Sequence, residues 1–446
     1  MNALTLSQIA DLAEGKVVSG DPETVVSRVV TDSRKVMPGD LFVALRGEQH
    51  DAHNFVANLA VPALVDRLPA YFAPGAVLVE DTSQGLQTLA RNYRKTLAAK
   101  IVAITGSNGK TSTKDLTAMV LGSRLRVVKT QGNLNNHIGL PLSVLSIDSG
   151  HQAAILEMGM NHPGEIAPLA AIASPDAAII TNIGIAHIEF MGSREAIALE
   201  KGMLARMVGE QGTVILNADD DFTESIACYC KAEVITAGIE NGQIRAENLI
   251  PSPGGSRFRI DNIDAFLPVP GRHMVANAVL AVAAGVALGI PLRDCVAALA
   301  NVQLTGGRLQ ARDIAGIHFI DDTYNANPDS MTAALTTLAS LPGRRIAVLG
   351  HMGELGSFAV EGHRIVGKAA VISGLDLLIV VGEAAEWIAR EADKGAFPVL
   401  RAADTSEAAF MLSERTREGD NILVKGSRSA RMERVIENFE PHTTAR

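Results

Sequence analysis

The apolar run Ile101-Val102-Ala103-Ile104 leads through Thr105 into Gly106-Ser107-Asn108-Gly109-Lys110-Thr111. A segment of helical spacing follows, with Leu116, Met119 and Val120 as its apolar positions. Strand, glycine loop and helix in that order is the layout of a phosphate-binding loop. Nothing else in the chain constrains the fold as tightly. The glycines let the backbone wrap around phosphate oxygens, and the amides at the helix N-terminus face the anion. Lys110 adds a point charge, and the Thr111 hydroxyl suits magnesium. The full Walker pattern has glycine six residues before the lysine, where this chain has Ile104. The loop is therefore a shortened variant.

A chain of 446 residues exceeds what one hydrophobic core organises, so two or three domains are expected. The net charge of −9 speaks against a nucleic-acid partner, which needs a basic face. Cys228, Cys230 and Cys295 are too few for a disulfide framework and read as reduced thiols. The N-terminus lacks a basic segment followed by an apolar core, so no signal peptide is expected. The Ala-, Gly- and Val-rich stretch from 275 to 292 reads as a buried helix rather than a membrane span. A cytoplasmic protein without membrane insertion is expected.

Three units follow from the pattern of runs and turns. In residues 1–82, Thr5 or Ser7 caps a short helix carrying Ile9, Leu12 and Ala13. Apolar runs at 41–45 and 77–79 follow, separated by turns at Pro38-Gly39 and Pro74-Gly75. This is a small α/β domain. In residues 83–312, runs at 101–104, 153–156, 177–180 and 213–216 alternate with helical segments, which predicts a mostly parallel sheet covered on both faces. Pro251, Pro253, Gly254 and Gly255 mark a loop in a more β-like insert, and a helix from about His273 to Leu288 closes the unit. Residues 313–446 repeat the α/β rhythm in a Rossmann-like pattern, without the Gly-x-Gly-x-x-Gly of a dinucleotide site.

Ligands of open α/β sheets bind outside the carboxyl ends of the strands. Glu157 ends the run 153–156, where a carboxylate can hold a magnesium ion that bridges phosphates. His187 follows the next run and the loop Thr181-Asn182-Ile183-Gly184, and so reaches the same rim. His273 and Asn277 share a helix face, and Asn277 can read a purine edge or a ribose. Arg308 follows Gly306-Gly307 and can clamp a phosphate. The loop from Asp321 to Pro328 places many polar side chains directly after a strand, and Lys425-Gly426-Ser427-Arg428 sits in the same way after the last one. Lys201 reads from its residues alone as a surface lysine on the helical stretch 193–208.

Taken together these motifs resemble the Mur ligases, over nearly the whole chain. The family's Asp-Ser-Arg and Pro-Gly-Asp signature stands at Asp32-Ser33-Arg34 and Pro38-Gly39-Asp40, and its Thr-Gly-x-Asn-Gly-Lys-Thr loop runs from Thr105 to Thr111. More specific are 132–136 (Gly-Asn-Leu-Asn-Asn), 158–165, 324–328 (Tyr-Asn-Ala-Asn-Pro) and 425–429. The resemblance implies a three-domain enzyme, and a monomer is expected. Its N-terminal domain binds a UDP-linked precursor, its central domain binds ATP, and its C-terminal domain closes over the site. The implied reaction joins D-alanyl-D-alanine to UDP-N-acetylmuramoyl-tripeptide through an acyl phosphate. By similarity Lys110 and the loop from Gly106 to Ser112 hold ATP, with Asn277, Arg308, Asp322 and Asn325. Thr111 and Glu157 hold one magnesium ion and His187 a second. Asn135, Asn136 and Ser427 face the peptide, and Ser33 and Arg34 the UDP end. The residue matching Lys201 is often carbamoylated in the family, which makes it a negative metal ligand. Where the family often has an acid after Leu349-Gly350, this chain has His351. Competing readings are another ligase of the same fold, such as folylpolyglutamate synthase, a nucleotide-switched regulator, or a small-molecule kinase.

Overall fold

The computed structural model describes residues 1–47, 49–67, 74–252 and 254–441. Pro253 and the last five residues of the expected third unit lie outside them. The first helix, Leu6–Leu12, begins where its capping chemistry dictates. Thr5 Oγ1 accepts from Gln8 N at 3.2 Å, and Gln8 Oε1 accepts from Thr5 N at 2.9 Å. This helix covers a five-stranded sheet that includes Asp40–Val43, Ala63–Val65 and Ala76–Leu78. The helix Thr82–Arg94 ties this unit to the next. At its start Thr82 Oγ1 donates to Ala44 O at 2.9 Å, and near its end the Tyr93 hydroxyl donates to Ile147 O at 2.7 Å.

The central sheet has nine strands. Lys100–Thr105 lies in parallel between Ala153–Glu157 and Ala177–Ile180. After Lys100–Thr105 the chain forms Val127–Lys129 at the sheet edge, returns to Ala153–Glu157 between the two, and then crosses to Ala177–Ile180 on the other side, so the connections switch at this strand. That opens a crevice at the carboxyl ends. The insert forms three strands, Ile244–Ser252, Gly255–Ile260 and Ile263–Leu267, which pair antiparallel with one another and join this sheet where Ile244–Ser252 runs parallel to Glu233–Gly238. The long helix Arg272–Ala287 is buried along most of its length, because alanine, glycine and valine let it pack closely against its neighbours. Among the described residues no helix is long and apolar enough to cross a membrane. The three cysteines are free.

A six-stranded sheet, parallel except for its edge strand Gln310–Ile314, forms the C-terminal lobe. That edge strand spans the boundary expected at 313, so the sheet itself begins at Gln310. Its carboxyl edge carries Asp322, Lys425 and the turn after Leu349. This edge faces the carboxyl edge of the central sheet.

Candidate active site

Both edges line one cleft of about 1510 Å³. The glycine loop forms its floor. Gly106 has φ +150° and Gly109 caps the following helix at φ +79°. A Cβ on Gly106 would overlap the Thr181 side chain, and one on Gly109 would come within 2.7 Å of Asn277 Oδ1. Only glycine suits either position. Gly109→Ala should therefore raise the KM for ATP about tenfold, from ~1–3 kcal/mol of backbone strain plus displacement of Asn277. An ATP titration of phosphate release measures it. The loop is also laced to the neighbouring strand's exit: Asn108 N donates to Asn182 Oδ1 at 2.9 Å and Gly184 N to Ser107 Oγ at 2.8 Å. Lys110 Nζ donates to Gly106 O at 2.8 Å. Its enclosure lowers its pKa, against the opposing pull of Glu157.

Glu157 is buried at the end of its strand. It accepts from Thr111 Oγ1 and Asn135 Nδ2, each at 2.9 Å. His187 also lines the cleft, at φ +63°. Its Nδ1 is 2.9 Å from Glu354 Oε2, which belongs to the C-terminal lobe. The contact is close but lacks the alignment of a hydrogen bond. That neighbour, with burial opposing, holds the Glu354 carboxyl below its ordinary value.

Ser107, Asn108, Lys110, Ser112, Asn135 and Asn136 line the cleft from the central lobe, as does Asn277 from the long helix. His273 beside it is held neutral, its pKa pushed down to about 4 mainly by desolvation. From the other lobe come Arg308, Asp322, Asn325 and Ser427. The Arg308 guanidinium stacks 4.1 Å from the Tyr324 ring centroid. Lys425, buried, pairs with Asp322 Oδ2 at 2.6 Å and donates to Asn325 O at 2.9 Å, which fixes the polar loop. Ser33 and Arg34 stand apart, on an exposed turn of the N-terminal unit. There Asp32 caps the turn and accepts from Arg34 Nε at 2.9 Å. His351 lies behind Ser427, its Nε2 3.0 Å from Ser429 Oγ.

Lys201 corrects a reading from the sequence. It is a fully buried residue, not a surface lysine. On the helix Arg194–Arg206 the polar pair Glu200 and Lys201 faces inward, while Leu199 is 55 % exposed. Glu200 is held by the amides of Gly164 and Ile166, each at 2.8 Å. Lys201 Nζ has no hydrogen-bond partner. Desolvation first, then the nearby Lys110 charge, drives its pKa well below that of an ordinary lysine.

A buried charge network beneath the loop is absent from the sequence reading. Lys114 Nζ lies 3.9 Å from Glu157 Oε2 and 3.7 Å from Asp115 Oδ1. Asp115 in turn accepts from Lys129 Nζ at 2.7 Å and from Thr305 N and Oγ1 at 2.8 Å. Asp115→Ala leaves the buried Lys114 with only its longer contact to Glu157 and removes the partner of Lys129. It should lower the unfolding free energy by about 3–5 kcal/mol, measured by denaturant titration. The one signal in the sequence was two charged residues on the inward face of an otherwise buried helix.

Comparison with known proteins agrees with this geometry. The Mur ligase middle domain matches residues 104–285, and the Mur ligase glutamate ligase domain matches residues 307–428. The UDP-N-acetylmuramoyl-tripeptide–D-alanyl-D-alanine ligase of Escherichia coli K12 is 36% identical over 456 residues, covering 100% of both chains. A crystal structure of MurF from Acinetobacter baumannii superposes with a TM-score of 0.90 at 34% identity, covering 98% of this chain and 99% of that one. MurF ligase from Thermotoga maritima, in complex with ADP, gives a TM-score of 0.84 at 31% identity, covering 93% and 97%.

Proposed function

The chain belongs to the Mur ligase family, and from that premise we propose how its cleft performs the ligation. The enzyme joins D-alanyl-D-alanine to UDP-N-acetylmuramoyl-tripeptide, using ATP, in peptidoglycan precursor synthesis. We assign the UDP end of the precursor to a domain of residues 1–82, through Ser33 and Arg34. ATP belongs to the central unit, and the C-terminal unit, whose sheet begins at Gln310, forms the closing lobe, with a hinge near Gly306-Gly307. One chain suffices, since its own lobes build the cleft. The reaction belongs in the cytoplasm, where ATP is at hand.

Lys110 leaves the Gly106 carbonyl for the terminal phosphates of ATP, and the loop amides hold the rest. Asn277, Arg308, Asp322 and Asn325 surround the nucleotide. Asn135, Asn136 and Ser427 orient the peptide ends. An oxygen of the tripeptide's terminal carboxylate bonds to the γ-phosphorus, the bond to the β–γ bridging oxygen breaks, and ADP forms. The amine of D-alanyl-D-alanine then attacks the acyl carbon. The new C–N bond replaces the C–O bond to phosphate, phosphate leaves, and the amine gives up a proton. The closed lobes keep water from the acyl phosphate.

The donors present suit magnesium. Thr111 Oγ1 and Glu157 Oε2, 2.9 Å apart, are hard oxygen ligands for one ion. Among the described residues no three His, Cys, Asp or Glu side chains converge. That fits a cation whose remaining positions go to phosphate oxygens and water. For a second ion we assign His187 and a carbamoylated Lys201. The orphaned amine supports this: a neutral Nζ can attack the carbon of carbon dioxide, form an N–C bond and release a proton, and the product is an anion. Bound magnesium would offset the negative charge gathered between carboxylate and γ-phosphate.

The observation that carries the reading is the meeting of two sheet edges, with the phosphate loop and Glu157 on one and Asp322 and Lys425 on the other. Phosphate release from ATP, with precursor and dipeptide supplied singly and together, tests it. Sustained release should require both. A stable phosphorylated product formed without the dipeptide would make the protein a kinase.

A further inference from the structure

We propose that Glu354, supplied by the C-terminal lobe, is a positioning residue for His187, so that the second cation is bound tightly only while the lobes are together. The proposal rests on the assignment of His187 as a ligand of that cation.

Glu157 and His187 differ in where their partners come from. Thr111, Asn135 and Thr130, which hold Glu157, all belong to the central lobe. The carboxylate 2.9 Å from His187 Nδ1 comes from across the lobe boundary. The backbone around the pair is committed to this meeting. His187 has φ +63° and Glu354 φ +58°, a left-handed conformation that costs a side-chain-bearing residue ~1–2 kcal/mol. Such strain at both members of one contact marks a functional constraint. The loop carrying Glu354 is also docked closely. A Cβ on Gly356 would stand 2.7 Å from Glu189 Cγ, two residues beyond His187. Two further bonds close the same seam: Asn327 Nδ2 donates to Asn108 Oδ1 at 2.8 Å, and Ile185 N donates to Asp329 Oδ2 at 3.0 Å.

An imidazole binds a cation through one nitrogen. A carboxylate accepting from the other N–H fixes the tautomer and the ring orientation and raises the ligand's basicity. Losing such a partner typically costs 10–100-fold in metal affinity. With Glu354 accepting from Nδ1–H after a turn of the ring, Nε2 is the nitrogen left for the cation. Lobe closure and metal binding then strengthen each other, since each favours the same arrangement.

Manganese titrations of the full chain test this, with free Mn²⁺ followed by electron paramagnetic resonance in the presence of a non-hydrolysable ATP analogue. Glu354→Ala should weaken the second ion about 10–100-fold. It should leave the first ion and the analogue's own affinity unchanged, which a general loss of structure would not do. Glu354→Gln keeps a carbonyl acceptor and should retain most of the affinity. His187→Ala should lose the second ion. If His187→Ala loses it while Glu354→Ala binds both ions as the parent does, the positioning role is wrong and the His187 assignment stands. If His187→Ala keeps both ions, that assignment itself is wrong. A Gln variant as weak as the Ala variant would overturn positioning in favour of direct ligation by the carboxylate.

Discussion

Lys201→Ala should cut the maximal rate of phosphate release about 10²–10³-fold, the usual loss when one preorganised charge-stabilising group is removed. The amine is fully buried without a hydrogen-bond partner, an arrangement that costs stability unless the group is modified or paired in the working enzyme. Because the same burial lowers its pKa, the neutral amine that can capture carbon dioxide is favoured over the ammonium. The parent enzyme should therefore lose rate in buffer stripped of carbon dioxide and regain it on adding bicarbonate, whereas the alanine variant responds to neither. An intact-mass measurement of the parent supplies an independent check. A variant within threefold of the parent rate would remove Lys201 from the chemistry.

Lys110→Met should be comparably severe, with kcat falling about 10³-fold and the KM for ATP changing far less. Methionine keeps the bulk of the stem but not the ammonium. The lysine now rests on the Gly106 and Ser107 carbonyls, at 2.8 and 3.4 Å, and its side chain touches the loop's backbone through those two bonds. Its charge matters most as the γ-phosphate transfers, and an interaction realised mainly in the transition state appears in kcat. Steady-state phosphate release with both substrates saturating separates the two constants. A large rise in KM with kcat unchanged would mean that Lys110 serves binding alone.

Much of the site was legible before the fold was known, for reasons that are local. Gly106 and Gly109 announce backbone conformations that other residues resist, and an acid directly after an apolar run, as at Glu157, places a carboxylate on a sheet rim. Other features could not be read this way. Lys201 looks like solvent-facing charge until the helix is docked, because a helical pattern places residues on faces without saying which neighbour covers each face. Here the covered face carries Glu200 and Lys201, and Leu199 faces solvent. Lys114 and Asp115 are hidden for the same reason: their partners Lys129, Glu157 and Thr305 come from distant points of the chain. Glu354 stands in a glycine-rich turn beyond its strand, not directly after an apolar run as Glu157 does, and the residue it meets belongs to another lobe.

The sequence alone determined the phosphate loop, the alternation that builds parallel sheets and, through its motifs, the Mur ligase resemblance. These depend on backbone preference and on hydrophobic runs a few residues long. The tertiary structure decided which charges are buried, which carboxylate reaches His187, and that two sheet edges from separate lobes share one cleft. Those outcomes rest on contacts between residues far apart in the chain, where desolvation and pairing, rather than local propensity, set the energy.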